Sequence, residues 1–397
     1  MHLSSDNKDD QGIPFPFINI PATMLEEILA KSTQIGDTIF QNIYQIKKEK
    51  KNFRDQLVNA YLLGHDNKFK FPKLLTTCGI DGAYAIERLL GTDLLAIGTI
   101  GVDGLVNHYK HFPEWESRNH SVFISSEKHN SDNMILARGL MIELEIKLAA
   151  NAPHDLVFLD GSLTTALIHM YKAINILQDI KNQTSEKILE NFREFLISYN
   201  KILYSEYSNE KFFPSGVPQM WVGIPKYTSR NDIGNHFHWP DDYDDRAVLT
   251  LILNEGEYTK PQPFTNKENW HKKLPKDNEE LDILMTSLLQ GIKNLYFLYY
   301  KPHYWSPALR IEIPKFIATN EILLSGLIQT IKYQCSIPGI MEPYPLFLAD
   351  KMVKNIASAI PAYKQIITRN ITENQIQSND VSDILFMMRS YRTESGI

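Results

Sequence analysis

The sequence predicts an α/β fold: a mixed sheet core with helical additions at its N- and C-terminal ends. Three observations support this. Apolar runs of strand length follow one another in the order β-β-β-α-β-α from residue 74 onward. Two of those runs close on an Asp-Gly pair, Cys78-Gly-Ile-Asp81-Gly-Ala and Leu156-Val-Phe-Leu-Asp160-Gly-Ser-Leu163. Segments with apolar residues at three- and four-residue spacing flank the strands on both sides.

The elements read in order as follows. Residues 1–20 are a polar tail followed by an extended, Pro-containing stretch, and the acidic, polar start does not have the form of a signal peptide. From Pro21 to about Leu63 the pattern is helical, with Met24, Leu25, Ile28, Leu29, Ile35 and Ile39 at helical spacing. The basic stretch Lys47 to Arg54 within it reads as a solvated helix face. Strands are expected at Leu74–Ile80, Leu94–Val102 and Ser121–Ser125. A helix is expected from about Ser131 to Ala150, capped by Ser131 or Asp132, with Met134, Ala137, Met141, Leu144 and Leu148 as its apolar stripe. After Asn-Ala-Pro-His154 comes the strand Leu156–Leu159, ended by Asp160, and a helix begins within a few residues. Residues 170–213 read as helical, Gln219–Ile224 as a strand, His236–Arg246 as an acidic aromatic loop, and Asn254-Glu-Gly-Glu257 as a turn. A helix at 279–292, strands at 295–300 and 308–313, and a helix at 321–334 follow. The last element is Glu342-Pro-Tyr-Pro-Leu-Phe-Leu-Ala-Asp350, running into a helix that Asp350 is expected to open. The expected division is an N-terminal tail and helical arm over 1–70, a core over 71–362 and a C-terminal helical tail over 363–397.

Bulk properties narrow the function classes. The chain has 397 residues, 43% of them hydrophobic and 22% charged, enough for a substantial core. The net charge of −6 argues against a globally basic nucleic-acid binder, so contact with nucleic acid requires local basic patches. Two cysteines, Cys78 and Cys335, give neither a disulfide framework nor a CxxC zinc pattern, and they suit a reducing cytoplasm. No apolar run approaches the ~20 residues of a membrane span, so no membrane association is expected. A P-loop and a GxSxG elbow are both missing from the sequence.

An aspartate at the end of a buried strand is costly unless something pairs with it. The strand order matches the opening of an RNase H-like fold, in which the first and fourth strands are neighbours, and this would place Asp81 beside Asp160. Two carboxylates that close raise each other's pKa unless a cation sits between them, and hard oxygen donors select Mg²⁺ or Mn²⁺. Two such ions about 3.5–4 Å apart suit phosphodiester hydrolysis and need three or four carboxylates. The helix 131–150 offers Glu143 and Glu145; at about 100° per residue Glu145 lies nearer the apolar stripe and Glu143 further round. The competing reading of each Asp-Gly pair is a simple turn.

Six short blocks, in order, resemble the NurA family of nucleases. They are Gly79-Ile-Asp81-Gly; Leu159-Asp160-Gly-Ser-Leu163; Val222-Gly-Ile-Pro-Lys226 with Thr228 and Ser229; Asp245-Arg246 leading to Leu253-Asn-Glu-Gly-Glu257; Leu309-Arg-Ile-Glu-Ile313; and Glu342-Pro-Tyr-Pro-Leu346 with Ala349-Asp350. The resemblance implies an RNase H-like nuclease core and Mn²⁺- or Mg²⁺-dependent DNA cleavage with two ions. It also implies 5′-end processing, a homodimer, and a hexameric HerA-type translocase as partner in end resection. Family spacing favours Glu143 over Glu145 as the helix ligand. The implied metal ligands are then Asp81, Glu143, Asp160 and Asp350, with Asp81, Glu143, Asp160 and Lys226 catalytic. The chain departs from the family at Ala83, where Ser is frequent, and at Asp350, where many relatives have His; Asp adds a charge that neutral His lacks.

Lys226, just past a strand, could neutralise a scissile phosphate. Thr228, Ser229 and Arg230 could bind the adjacent backbone, and Tyr344, fixed between two prolines, could stack on a base. Arg310 and Glu312 alternate on a strand and share one face, as a structural pair or a groove lining. His236-Phe-His238 among acidic residues lacks the His-x-x-x-His helix spacing and reads as a solvated loop. Two further readings compete with the nuclease: an actin-like ATPase-type phosphotransferase, which would need a second phosphate-binding hairpin, and a non-catalytic adaptor of a translocase.

Overall fold

The computed structural model describes residues 20–69, 74–105, 112–177, 179–204, 218–228, 230–264, 273–275, 278–374 and 381–396. The N-terminal tail and Ser229 lie outside these residues. The chain divides into two compact units, residues 1–55 and residues 56–397. The long helix Ala22–Asn59, most of which belongs to the first, carries exposed Met24, Ile28, Leu29, Ile35 and Ile39, five of the six residues whose spacing predicts it.

The second unit is organised by an eleven-stranded mixed sheet. Its strands are β1 (Leu63–His65), β2 (Thr77–Leu89), β3 (Asp93–Asp103), β4 (His120–Glu127), β5 (Leu156–Asp160), β6 (Met220–Ile224), β7 (Glu257–Thr259), β8 (Gln262–Pro263), β9 (Leu295–Tyr300), β10 (Leu309–Pro314) and β11 (Ser390–Gly396). The strand order is β1-β7-β9-β10-β6-β5-β2-β3-β4, with β8 on β9 and β11 on β2. The run β4-β3-β2-β5-β6 is the RNase H-like core: β2, β3 and β4 form an antiparallel meander, and β5 and β6 lie parallel to β2. Buried β5 and β6 read as continuous apolar runs, as strands covered on both faces do.

Helices cover both faces. On one, Asn133–Asn151 lies across β2 and β3 and against helices Thr165–Ile176 and Gln183–Leu203. On the other, Tyr344–Val353 lies across β2, β3 and β5. Beyond it, Glu321–Gln334 contributes Leu324, Leu327, Ile328 and Ile331 to a core shared with Phe158, Val222, Leu298 and Ile311 of the sheet.

The loop expected at His236–Arg246 has its two ends in helices Asp232–Phe237 and Asp245–Ile252, and three further elements differ from the sequence expectation. The first strand does not end at the Asp-Gly pair but runs through it to Leu89. Ser390–Gly396, expected to be helical, is a strand. The two differences share one cause: β5 covers β2 only over Thr77–Ile80, and β11 pairs with the edge left open from Tyr84 to Leu89. Backbone groups on that edge would otherwise lack sheet partners. Finally, the helix begins at Tyr344, with prolines on either side of that residue, so Asp350 lies near its C-terminal end and does not open it. Among the described residues no helix is long and apolar enough to cross a membrane.

Candidate functional site

Parallel pairing of β2 with β5 aligns Ile80 with Leu159, so the next residues, Asp81 and Asp160, come side by side at the point where β5 ends. Alternation along β2 sends Gly79 and Asp81 to the face of helix Tyr344–Val353 and Gly82 to the face of helix Asn133–Asn151. Gly79 is what lets the first helix approach. A Cβ there would stand 2.4 Å from the Pro345 carbonyl carbon and 2.5 Å from the Leu346 nitrogen. The close contact carries Asp350 over the two strand aspartates, and carboxylate oxygens of Asp81, Asp160 and Asp350 all lie within 4.8 Å of one another. A carboxylate near a helix C-terminus is disfavoured by the helix dipole, so Asp350 is not a cap. Its partners are Lys354 at 2.8 Å and Lys226 at 3.1 Å. Burial pushes its pKa up, but those two lysines outweigh it and hold the group below the ordinary value.

Lys226 is the hub. Its ammonium lies 3.0 Å from Asp160, 3.1 Å from Asp350 and 3.3 Å from Glu342. Burial alone would lower its pKa; Asp160 and Glu342 reverse the effect and hold it charged. Lys226 follows β6, and the Arg246 guanidinium fixes its main chain by donating to the Lys226 carbonyl and to that of Ala308 at 3.0 Å. Asp245, the other half of that block, accepts from the Ile233 and Gly234 amides at 2.8 and 2.7 Å.

The turn after Asp160 is built by a buried relay. Gly161 has φ +92°, a conformation that favours glycine. Glu312 accepts from the Ser162 hydroxyl at 2.6 Å and the Leu163 amide at 3.0 Å, and Arg310 donates to Glu312 at 3.0 Å and to Asp232 at 2.9 Å. Arg310 and Glu312 are completely buried, which makes them a structural pair that fixes the loop carrying Asp160.

The fourth carboxylate is Glu145. It lies beneath Gly82, where a Cβ would come within 2.4 Å of its Oε1. Burial raises its pKa well above the ordinary value, and Asp81 and Asp160 raise it further. Glu143, favoured by family spacing, is placed elsewhere by the helix. Two residues from Glu145 and about 200° round the helix, it faces helix Gln183–Leu203. Burial raises its pKa to about 8, eased by Asn191, Lys147 and Lys187. The two strand aspartates are not among its influences.

Asp81 is held at about 8, first by burial and then by Asp160, with Lys226 pulling the other way. Its Oδ1 accepts from the Gly82 amide at 2.8 Å, and its buried Oδ2 has no hydrogen-bond partner among the described residues. An orphaned buried oxygen facing other carboxylates, in an all-oxygen donor set, fits a hard divalent cation. Glu342, next to the proline that precedes the helix, joins this cluster without having been singled out; burial raises its pKa, and Lys226 opposes the rise. Its signal was its place at the head of the Glu342-Pro-Tyr-Pro block.

The remaining expected residues, Ser229 apart, are placed as follows. Thr228 accepts from the Arg230 amide at 3.1 Å, and the Arg230 guanidinium lies 4.8 Å from the Phe264 ring centroid. Tyr344 is half-buried at the first position of its helix. His236 lies in the last turn of the short helix Asp232–Phe237, and His238 takes a left-handed conformation, φ 56°.

Comparison with known proteins agrees with this architecture. No curated protein sequence matches. The fold is similar to the crystal structure of the NurA nuclease from Sulfolobus solfataricus, with TM-score 0.54 and 15% identity over 88% of this chain and 99% of that one. A second NurA crystal structure gives TM-score 0.52 at 12% identity, covering 88% and 98% of the two chains. A NurA solved with manganese gives 0.48 at 14% identity, covering 82% and 93%. The model of the NurA domain matches residues 75–355, from the approach to β2 through the helix that carries Asp350, and this chain belongs to the NurA family.

Proposed function

We propose that this protein is a metal-dependent DNA nuclease that hydrolyses phosphodiester bonds. The observation that carries the reading is the convergence of Asp81, Asp160 and Asp350 within 4.8 Å, with Glu145 buried beside them. These four would hold one or two Mn²⁺ or Mg²⁺ ions, which supply Lewis acidity and an activated water when bound. The chain's own residues do the rest. Lys226 balances the carboxylates and offers a cation for the scissile phosphate. Arg310 and Glu312 keep Asp160 in place through the Ser162–Leu163 turn. Thr228 and Arg230, with Ser229 between them in the sequence, offer groups for the DNA backbone, and Tyr344 offers a ring for a base.

In the same reading the enzyme processes DNA from the 5′ end, with endonuclease activity as well, on single- and double-stranded substrates. It acts in the cytoplasm as a homodimer with a hexameric HerA-type translocase in DNA end resection and repair. The apolar residues exposed along helix Ala22–Asn59 support self-association. The test is cleavage of end-labelled single- and double-stranded DNA with Mn²⁺, Mg²⁺ or EDTA, with and without the translocase. Metal-dependent release of short products from the 5′ end is expected. Binding of the translocase without cleavage under any metal would replace the nuclease with an adaptor.

A further inference from the structure

A second cluster of metal-ligating side chains lies near the opposite end of β5, on the other face of the sheet. Cys78 and Asp103 are direct cross-strand partners on β2 and β3, so their side chains project from the same face. His154 comes two residues before β5, whose first residue, Leu156, aligns with Thr77. Cys78 Sγ, an Asp103 carboxylate oxygen and one imidazole nitrogen of His154 lie within 4.8 Å of one another. Cys78 is three residues from Asp81, roughly 10 Å along the strand, and points to the opposite face. The two clusters are therefore separate.

The surroundings have the form of a ligand site. His154 is 2% exposed; its Nε2 stands 3.1 Å from Asp103 Oδ1, and its Nδ1 is buried with no hydrogen-bond partner among the described residues. Nε2 is the nitrogen on the side of Asp103, so an ion shared with that carboxylate would take the Nε2 lone pair in place of the present contact, with the ring proton on Nδ1. Asp103 Oδ1 also accepts from the Trp115 indole at 3.1 Å, an outer contact of the kind that orients a ligating carboxylate. The rings of Phe112 and Trp115 pack on the imidazole at 4.7 and 5.7 Å and shield it. The same two rings line a cleft of about 860 Å³ with Arg118, Lys147 and Pro153, and the Asp103 side chain is 40% exposed. Solvent thus reaches the cluster on the Asp103 side.

We propose that Cys78, Asp103 and His154 form a second divalent-metal site, with thiolate, imidazole and carboxylate donors suited to Zn²⁺ rather than Mn²⁺ or Mg²⁺. Softness decides the metal: a thiolate selects zinc, whereas the all-oxygen cluster around Asp81 does not. Three protein ligands leave the fourth tetrahedral position open, as in zinc sites that take water or a small anion. The sequence hides this site because its ligands come from three elements and none is part of a CxxC pair.

The test uses the full chain, stripped of metal and loaded with Co²⁺ under excess Mg²⁺. Cobalt bound to a thiolate gives a near-ultraviolet charge-transfer band. We expect that band in the unaltered protein, in Cys335→Ser and in Asp160→Asn, and its loss on adding Zn²⁺ and in Cys78→Ser. His154→Gln should weaken cobalt binding about 10–100-fold while circular dichroism shows a folded chain. If Cys78→Ser fails to fold, the unaltered protein still decides: no band there overturns the proposal, as does a band that survives in a folded Cys78→Ser. Because DNA cleavage is not the readout, the result is independent of the nuclease reading.

Discussion

Asp81-Gly82 and Asp160-Gly161 bring their carboxylates to one cluster, yet the two glycines answer different demands. Gly161 sits where a strand has ended, at φ +92°, and a Cβ there would meet nothing within 4 Å. It serves the backbone dihedral. Gly82 lies in mid-strand, without a positive φ among the described residues, and a Cβ there would strike Glu145 at 2.4 Å and Met141 at 2.9 Å. It serves space, and the space is filled by the fourth acidic group. The same dipeptide thus marks a turn in one place and room for a buried carboxylate in the other.

This difference can be tested in several ways, ordered by size of effect. Replacing either aspartate by asparagine should lower Mn²⁺-dependent cleavage by about 10³-fold or more while circular dichroism stays unchanged, because in the proposed function both Asp-Gly pairs supply ligands. Initial rates on end-labelled DNA check this. Next, Glu145→Gln should reduce the rate by about 10²-fold, whereas Glu143→Gln, facing helix Gln183–Leu203, should leave it within about twofold; equal losses would mean that Gly82 makes no room for a ligand.

The glycines themselves come third. Gly82→Ala should destabilise by about 1–3 kcal/mol through overpacking and also cut activity by displacing Glu145. Gly161→Ala should cost about 1 kcal/mol for backbone strain alone, and Gly161→Asn less, since asparagine tolerates a positive φ. Urea unfolding of the three variants separates the two causes.

The last test has no effect on cleavage to read and follows the pH dependence of stability. In the metal-free protein Asp81 is raised from 3.8 to about 8, and Glu145 is also raised. The unfolded chain releases these protons near pH 4 while the folded chain keeps that of Asp81 to about pH 8. The folded state therefore binds more protons between these limits, and stability falls as pH rises through them. Thermal unfolding in EDTA should show a falling midpoint from about pH 4 to about pH 8, and Asp81→Asn should flatten the fall.

Much of this was legible in the sequence. The β-β-β-α-β-α order followed from periodicity, and the juxtaposition of Asp81, Asp160 and Lys226 followed from that order and the block pattern. The fourth carboxylate was harder to place. Helix Asn133–Asn151 is buried on nearly every side, including at Glu143 and Glu145 themselves, so an apolar stripe could not define the face toward the sheet. Family spacing then pointed to Glu143, whereas Glu145 is the one that feels Asp81 and Asp160. Asp350 was misplaced within its helix because the Pro-Tyr-Pro start was read as a rigid lead-in, although proline is favoured in the first turn. The strand Ser390–Gly396 could not be read locally, since it depends on an edge of β2 that β5 leaves open. The buried Arg310–Glu312 relay was visible as a pair but not in its role, because Ser162 lies 150 residues away from Glu312.

The most direct measurement is Mn²⁺ binding to the full chain, followed by loss of the free-ion signal in electron paramagnetic resonance. It should be run on the unaltered protein and on the Asp81→Asn, Asp160→Asn double variant. The shared carboxylate centre predicts a tight binding phase in the first and its disappearance in the second, with both chains folded. A double variant that binds Mn²⁺ as tightly as the unaltered protein would contradict it.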